Sequence, residues 1–146
     1  MEVLLCNDKD WLFSEEAFNI YAPCMYQPTF EKYCTKMEQY FDDPSLKIYV
    51  CEDSKQKIGM MIIDKSEDVA EIAGIAISTR YRGQGAGRLM IEQVMESESI
   101  MSLKAQTDED AIEFYRKCGF KDEKEIVEYP DGSVVRYNCL KTILEV

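Results

Sequence analysis

The chain has 146 residues, 46% of them hydrophobic and 11% aromatic, enough to bury a real core in one domain spanning 1–146 and too apolar for a disordered tail. Its formal net charge of −11 repels nucleic-acid phosphates and anionic membranes, so neither is an expected partner; the same charge either favours a cationic partner or only keeps the surface soluble. There is no histidine, which excludes serine–histidine and cysteine–histidine nucleophilic systems and leaves carboxylate, tyrosine, lysine or cysteine to act as acid or base. In chain order, the apolar run 3–6 predicts a first strand. Residues 10–21 carry Trp11, Leu12, Phe13, Ala17, Phe18 and Tyr21 at helical spacing, and Pro23 and Pro28 bracket a linker. Phe30, Tyr33, Cys34, Met37, Tyr40 and Phe41 recur every three or four residues, predicting a second helix that Asp43-Pro44 ends. The period then changes to that of strands at 46–51 and 58–63, joined as a hairpin, and again at 69–78. A glycine-rich turn leads into a helix through Met95, a strand over 100–105 and a helix over 107–118, where Gly119 suits the C-terminal cap. Residues 125–129 and 134–140 predict a last hairpin around Pro130-Asp131-Gly132. Seven strands and four helices in this order predict an α/β fold, a mixed sheet flanked by helices.

The turn Arg82-Gly83-Gln84-Gly85-Ala86-Gly87-Arg88 lies between a strand and an amphipathic helix, the context in which a glycine pattern carries meaning. Glycines allow close backbone approach and conformations closed to other residues. The helix start supplies unpaired N–H groups and partial positive charge, and the arginines add charge, so the segment predicts a cradle for a pyrophosphate. A tight turn that only reverses the chain is the plainer alternative. A dinucleotide fingerprint fits less well, because the spacing is G-x-G-x-G and the turn lies mid-chain.

Arg82 to Gly87 matches the pattern R/Q-x-x-G-x-G/A, and Ala111-Ile112-Glu113-Phe114-Tyr115-Arg116-Lys117-Cys118-Gly119-Phe120 matches A-x-x-F-Y-x-x-x-G-F. In both motifs, and in element order over nearly its whole length, the chain resembles the GNAT family of N-acetyltransferases. The resemblance implies a mostly antiparallel sheet of about seven strands whose fourth and fifth splay apart around the pantetheine arm of acetyl-CoA. Ile75, Ala76 and Ile77 would offer that arm backbone hydrogen bonds, and the 82–88 turn would hold its phosphates. It implies a general acid at Tyr115, which would protonate the departing CoA sulfur. Glu71 resembles the glutamate that, in the histone-acetylating branch, takes the amine's proton, often through water. Asp108 stands where relatives often carry an asparagine that contacts the cofactor, which makes it a candidate cofactor-binding residue; the alternative is a helix cap formed with Thr107 as N-cap and Asp110 reaching back. Leu103 stands where the branch acting on protein N-termini has a glutamate, which weakens that role. Gly74, inside a strand, marks either the family's bulge or a glycine beneath a packed side chain.

The expected activity is transfer of acetyl from acetyl-CoA to a primary amine of a small molecule or a lysine, directly within a ternary complex, with the acidic balance leaning towards a cationic acceptor. The rival is a non-catalytic acyl-CoA-binding regulatory module. Six cysteines, none in a Cys-x-x-Cys pair, predict reduced thiols, no metal and a cytoplasmic monomer or homodimer; the first residues lack the basic start of a signal peptide.

Overall fold

A computed structural model describes residues 1–143. The chain runs through β1 (Glu2–Leu5), α1 (Lys9–Leu12), α2 (Glu15–Tyr21), a 3₁₀ turn (Ala22–Cys24), α3 (Phe30–Asp42), β2 (Leu46–Asp53), β3 (Gln56–Asp64) and β4 (Ala70–Ile77). A second 3₁₀ turn (Thr79–Tyr81) precedes α4 (Ala86–Ser97), β5 (Ser102–Thr107), α5 (Ile112–Lys117), β6 (Lys121–Tyr129) and β7 (Gly132–Thr142). The strands form a seven-stranded sheet in the order β1-β2-β3-β4-β5-β7-β6. Every neighbouring pair is antiparallel except β4 and β5, which are parallel because α4 carries the chain across between them. The mixed, mostly antiparallel sheet expected from the sequence is therefore present.

Sequence pattern explains the layering. Residues 58–63 of β3 are buried without interruption, the signature of a strand covered on both faces. Ile58, Met61 and Ile63 join Met90, Ile91 and Val94 of α4 and Leu103 of β5 in one core. Met60 and Ile62 face the other way, into a second core with Leu12, Tyr21, Tyr33 and Met37 from α1, α2 and α3. The β2–β3 hairpin turns on Ser54 and Lys55, both at positive φ (52° and 69°), as a two-residue hairpin loop requires.

Two expectations are corrected. The single helix over 10–21 is two, so the sheet is flanked by five α-helices rather than four. Ser14 breaks it: its hydroxyl donates to the Trp11 carbonyl (2.5 Å) and accepts from the Ala17 amide (3.3 Å), capping α2 in place of continuing α1. The helix over 107–118 begins only at Ile112, and Thr107 is not its cap. Thr107 continues the β5 ladder opposite Tyr137; the helix itself has Ala111 at its N-cap position and no side-chain cap, while Asp108 Oδ1 braces the turn before it by accepting from the Asp110 and Ala111 amides at 3.0 Å each.

Candidate active site

The site begins with a failure of pairing. β4 and β5 are partnered only at Ala70–Leu103 and Glu71–Lys104, and beyond that rung they part. Against β3, the register shifts so that Ile62 faces Gly74 while Ile63 faces Ile72, leaving Ala73 unpaired as a bulge. Gly74 is also held under a side chain: a Cβ there would lie 2.2 Å from the Tyr21 hydroxyl. The two readings of this glycine are both true, and the bulge turns the remaining half of β4 away from β5.

Between the splayed strands lies a cleft of about 890 Å³. One wall is β4 from Ile72 to Ile77, including Ile75, Ala76 and Ile77. Its mouth is the glycine turn, where Gly83 and Gly85 sit at φ +79° and +85° with open space where a Cβ would be. Conformation, not crowding, demands glycine there. Gly85 occupies the N-cap position of α4 and supplies no side-chain cap, so the helix presents its first N–H groups to the cleft. Gly87 serves a different purpose: a Cβ would meet the Phe114 ring at 2.7 Å, so its absence lets α5 pack against the start of α4.

Of the residues singled out in the sequence, Ile75, Ala76, Ile77, Arg82, Gly83, Gly85, Ala86, Gly87, Arg88, Asp108 and Tyr115 all line this cleft. Gln84 does not; its amide donates back to the Arg80 carbonyl at 3.4 Å. Glu71 does not either. It stands at the last paired rung, half-buried, with its carboxylate 3.8 Å from Lys104 Nζ. The two arginines differ in freedom. Arg82 is held only by a 3.4 Å bond from Nε to the Ile77 carbonyl, while Arg88 is paired to Glu92 one turn on, at 2.9 Å. Arg116 is fully committed elsewhere, to both oxygens of Asp122 and to Glu113.

Tyr115 is 6% exposed and packs edge-on between Phe114 and Phe120, at ring separations of 5.1 and 5.3 Å. Its hydroxyl makes no hydrogen bond among the described residues, yet its side chain borders the cleft. Burial pushes its phenol well above the usual tyrosine range, with the nearby Cys24 adding to the effect, so the group stays protonated. Such a hydroxyl is a proton donor awaiting an acceptor.

Several residues of the cleft carry no site signal in the sequence, among them Lys117 and Arg136. Arg136 lies on β7 and reaches the cleft because β7 inserts between β5 and β6; no local signal marks it. Cys24 borders both this cleft and a second hollow of about 740 Å³, walled by Met25, Tyr26, Thr29, Glu31, Lys32 and Lys36, so the two hollows meet at its side chain.

Compared with known proteins, residues 14–120 match the model of the acetyltransferase (GNAT) family. The chain belongs to that family. The GNAT chain is 32% identical over 92 residues to an uncharacterized N-acetyltransferase of Methanocaldococcus jannaschii; the match takes in 54% of this chain and 40% of the relative, so the chain spans well under half of that protein's length. Among solved structures it is similar to an aminoglycoside 6′-N-acetyltransferase complexed with coenzyme A (TM-score 0.75, 14% identity, 100% and 99% of the two chains). It is likewise similar to a mutant spermidine N-acetyltransferase from Vibrio cholerae (TM-score 0.70, 15% identity, 97% and 95%). At these identities the likeness is one of fold.

Proposed function

We propose that this GNAT chain is an acetyl-CoA-dependent N-acetyltransferase that passes acetyl directly to a primary amine of a small molecule or a lysine side chain within a ternary complex. The observation that carries the reading is the splayed cleft, with a left-handed glycine turn at its mouth and an unpartnered, protonated hydroxyl against its wall. The cleft suits the co-substrate on its own chemistry. Free N–H groups at the start of α4, with Arg82, Arg88 and Arg136, answer the charge of a pyrophosphate, and the β4 edge released from β5 offers the backbone of Ile75 to Ile77 to the pantetheine amides. Bound acetyl-CoA supplies the activated acyl group.

The chain's own residues then divide the work. Closing the two hollows on one another at Cys24 allows both substrates to be held together, which is what direct transfer needs. Tyr115 donates its proton to the departing sulfur; its burial keeps that proton in place until a thiolate, desolvated by the same walls, requires it. Glu71 lines neither hollow; from the last paired rung of β4 and β5 it acts through water, drawing the proton from an amine that arrives charged. Asp108 holds the loop before α5, and so the position of Tyr115, while facing the cofactor.

A cationic acceptor remains the better fit. The lean rests on the net charge of −11, because the hollow's own lining sets Glu31 against two lysines, Lys32 and Lys36, whose contacts with the Gln27 carbonyl (3.1 Å) and the Tyr40 ring do not cancel their charge. The similar folds named for aminoglycoside and spermidine acetylation agree with that lean. A panel of polyamines, aminoglycosides, amino acids and lysine peptides, with acetyl-CoA and detection of free thiol, tests the proposal. Release of thiol dependent on one class of amine is expected. Tight acetyl-CoA binding with no turnover across the panel overturns the enzyme reading in favour of an acyl-CoA-binding module.

A further inference from the structure

Cys24 occupies a position that the transfer reaction does not use. The other cysteines have evident structural roles: Cys6, Cys51, Cys118 and Cys139 are buried, and Cys34 is half-buried against the core under α3. Cys24 alone among the six is an exposed residue, though its sulfur is turned inward against β4, at the end of the 3₁₀ turn after α2, where the cleft and the acceptor hollow meet. Its thiol donates to the Ile75 carbonyl at 3.0 Å, which fixes the sulfur against the free edge of β4.

The direction of the cleft makes this position specific. The phosphate-binding turn follows Ile77, so a pantetheine arm entering from the turn passes Ile77 first and Ile75 last, two residues or about 7 Å further on. The end of the arm, which carries the thiol of coenzyme A, therefore arrives beside Ile75 and Cys24. A second observation points to a ligand at the same spot. Tyr115 and Tyr21 are 6% and 1% exposed, and neither hydroxyl makes a hydrogen bond among the described residues. Tyr21 lies over Gly74, and Tyr115 borders the cleft beside Cys24. The Tyr115 hydroxyl, at the tip of a buried ring that borders the cleft and without a protein partner, is a donor placed where a sulfur would be delivered.

We infer that Cys24 is a redox modification site for coenzyme A itself, forming a mixed disulfide that closes the junction of the cleft and the acceptor hollow. The inference rests on the cofactor reading above. The step balances without an outside oxidant when the donor is coenzyme A disulfide. Cys24, as thiolate, attacks the sulfur of the half held in the cleft; that S–S bond breaks as the Sγ–S bond forms. The other half leaves through the open acceptor hollow as a thiolate and takes up from solvent the proton that Cys24 released. One coenzyme A is reduced to the thiol and the protein sulfur is oxidised to the disulfide. The adduct occupies the cleft, closes its junction with the acceptor hollow and stops acetyl transfer until a reductant removes it.

The groups facing the sulfur set the pH dependence. Burial raises the Cys24 thiol above its ordinary value, opposed by the Ile75 bond, by Arg82 of the turn and by Lys36 of α3; Tyr21 of α2 and Tyr115 of α5 face it as neutral phenols. The thiolate is thus the minor form at neutral pH. Adduct formation should be slow there and rise about tenfold per pH unit below the thiol's pKa.

The test uses reductant-free protein incubated with coenzyme A disulfide or, separately, with glutathione disulfide at equal concentration, followed by intact mass and peptide mapping. One adduct is expected, on the peptide containing Cys24. It should form at least about tenfold faster from coenzyme A disulfide, because the cleft raises the local concentration. Excess acetyl-CoA should slow it, a reductant should reverse it, and Cys24→Ser should abolish it. No adduct, an adduct on Cys34 or Cys118, or equal rates with the two disulfides would overturn the inference. Thermal shift with coenzyme A, measured on wild type and Cys24→Ser together, separates the failures. Stabilisation of both proteins without an adduct sinks the cysteine inference alone, whereas no stabilisation of either sinks the cofactor reading and the inference with it.

Discussion

The two ends of α4 are built on opposite plans. At the N-terminal end, Gly85 leaves the helix without a side-chain cap, residues 82–85 of the preceding turn are exposed, and the first N–H groups face a cleft. At the C-terminal end, Glu98 is almost enclosed, and its carboxylate accepts from Lys47 Nζ and from the Tyr49 hydroxyl (2.7 Å), with Lys65 at 3.8 Å. A carboxylate at that end opposes the helix dipole, and two lysines and a tyrosine are what offset it. The Lys47 hydrogen bond holds the Glu98 carboxyl below the usual range, against the opposing effect of burial and with help from Tyr49. Open donors mark the end that the proposal gives to the cofactor; saturated acceptors mark the end that anchors the helix to β2. The contrast predicts that changes around the cleft alter chemistry and binding while sparing stability, and that changes at the anchor do the reverse.

The largest effect should come from the unpartnered hydroxyl. Tyr115→Phe is expected to lower turnover about 10²- to 10⁴-fold, measured where the chemical step limits, with Tm and coenzyme A affinity unchanged because the ring packing on Phe114 and Phe120 survives. A fall in Tm with turnover per folded molecule intact would make Tyr115 a packing residue and erase the contrast on that side.

Next in size is the anchor. Glu98→Gln should cost about 1–3 kcal/mol of stability at pH 7, read by urea unfolding, and leave coenzyme A binding alone. The sign with pH follows from the depressed carboxyl. Its contribution is fully present above the unfolded-state value of about 4.3 and is lost as pH falls through the lower folded value. The gap between wild type and variant should therefore close in acid. A gap that stays constant from pH 7 to acid would assign the effect to packing, not to charge.

The same contrast explains what could be read from the sequence. The glycine turn was legible because its chemistry is local: left-handed glycines and a helix start are written in consecutive residues. The stripe through Phe114 and Tyr115 marks only a helix face, and the role expected of Tyr115 comes from the resemblance to the GNAT family. The seven strands were legible from their period. The break between α1 and α2 was not, because Ser14 sits inside a good apolar pattern and one hydroxyl outweighs it. Thr107 was taken for a cap because capping residues cluster at 107–110, and only pairing with Tyr137 shows that the strand continues through it. Arg136 and the Glu98 anchor were invisible for a shared reason: each depends on which strands become neighbours, which no window of sequence contains.

A smaller effect should follow charge reversal at the open end. Arg82→Glu and Arg136→Glu are expected to weaken coenzyme A binding about tenfold each, with the loss shrinking at high salt. Arg88→Glu should do less, since that side chain already answers Glu92. Arg116→Glu should leave affinity intact and lower stability instead, because it breaks a two-pronged contact with Asp122 outside the cleft. Calorimetric titration checks all four. Equal losses in affinity at all four arginines would mean that only overall charge matters, and the distinction between open and anchored groups would fail.

The smallest expected effect sharpens the comparison most, because Glu71 belongs to neither class cleanly. It is ion-paired like the anchor, yet only at 3.8 Å, to a lysine that Glu67 holds more closely at 2.9 Å, and it stands at the rung where the splay begins. If it draws the proton from the acceptor through water, Glu71→Gln should slow turnover several-fold at pH 7 and less at pH 9, as more of an amine with pKa near 10 arrives neutral. If it only steadies Lys104, the rate deficit should be independent of pH. Lys104→Met separates these outcomes. A structural pair would make the two substitutions non-additive in stability and leave the pH profile of the rate unmoved, whereas a proton acceptor freed from its lysine should keep that profile while Glu71→Gln flattens it. A pH-rate profile of Glu71→Gln that superimposes on wild type would remove Glu71 from the chemistry and leave water as the acceptor of the amine's proton.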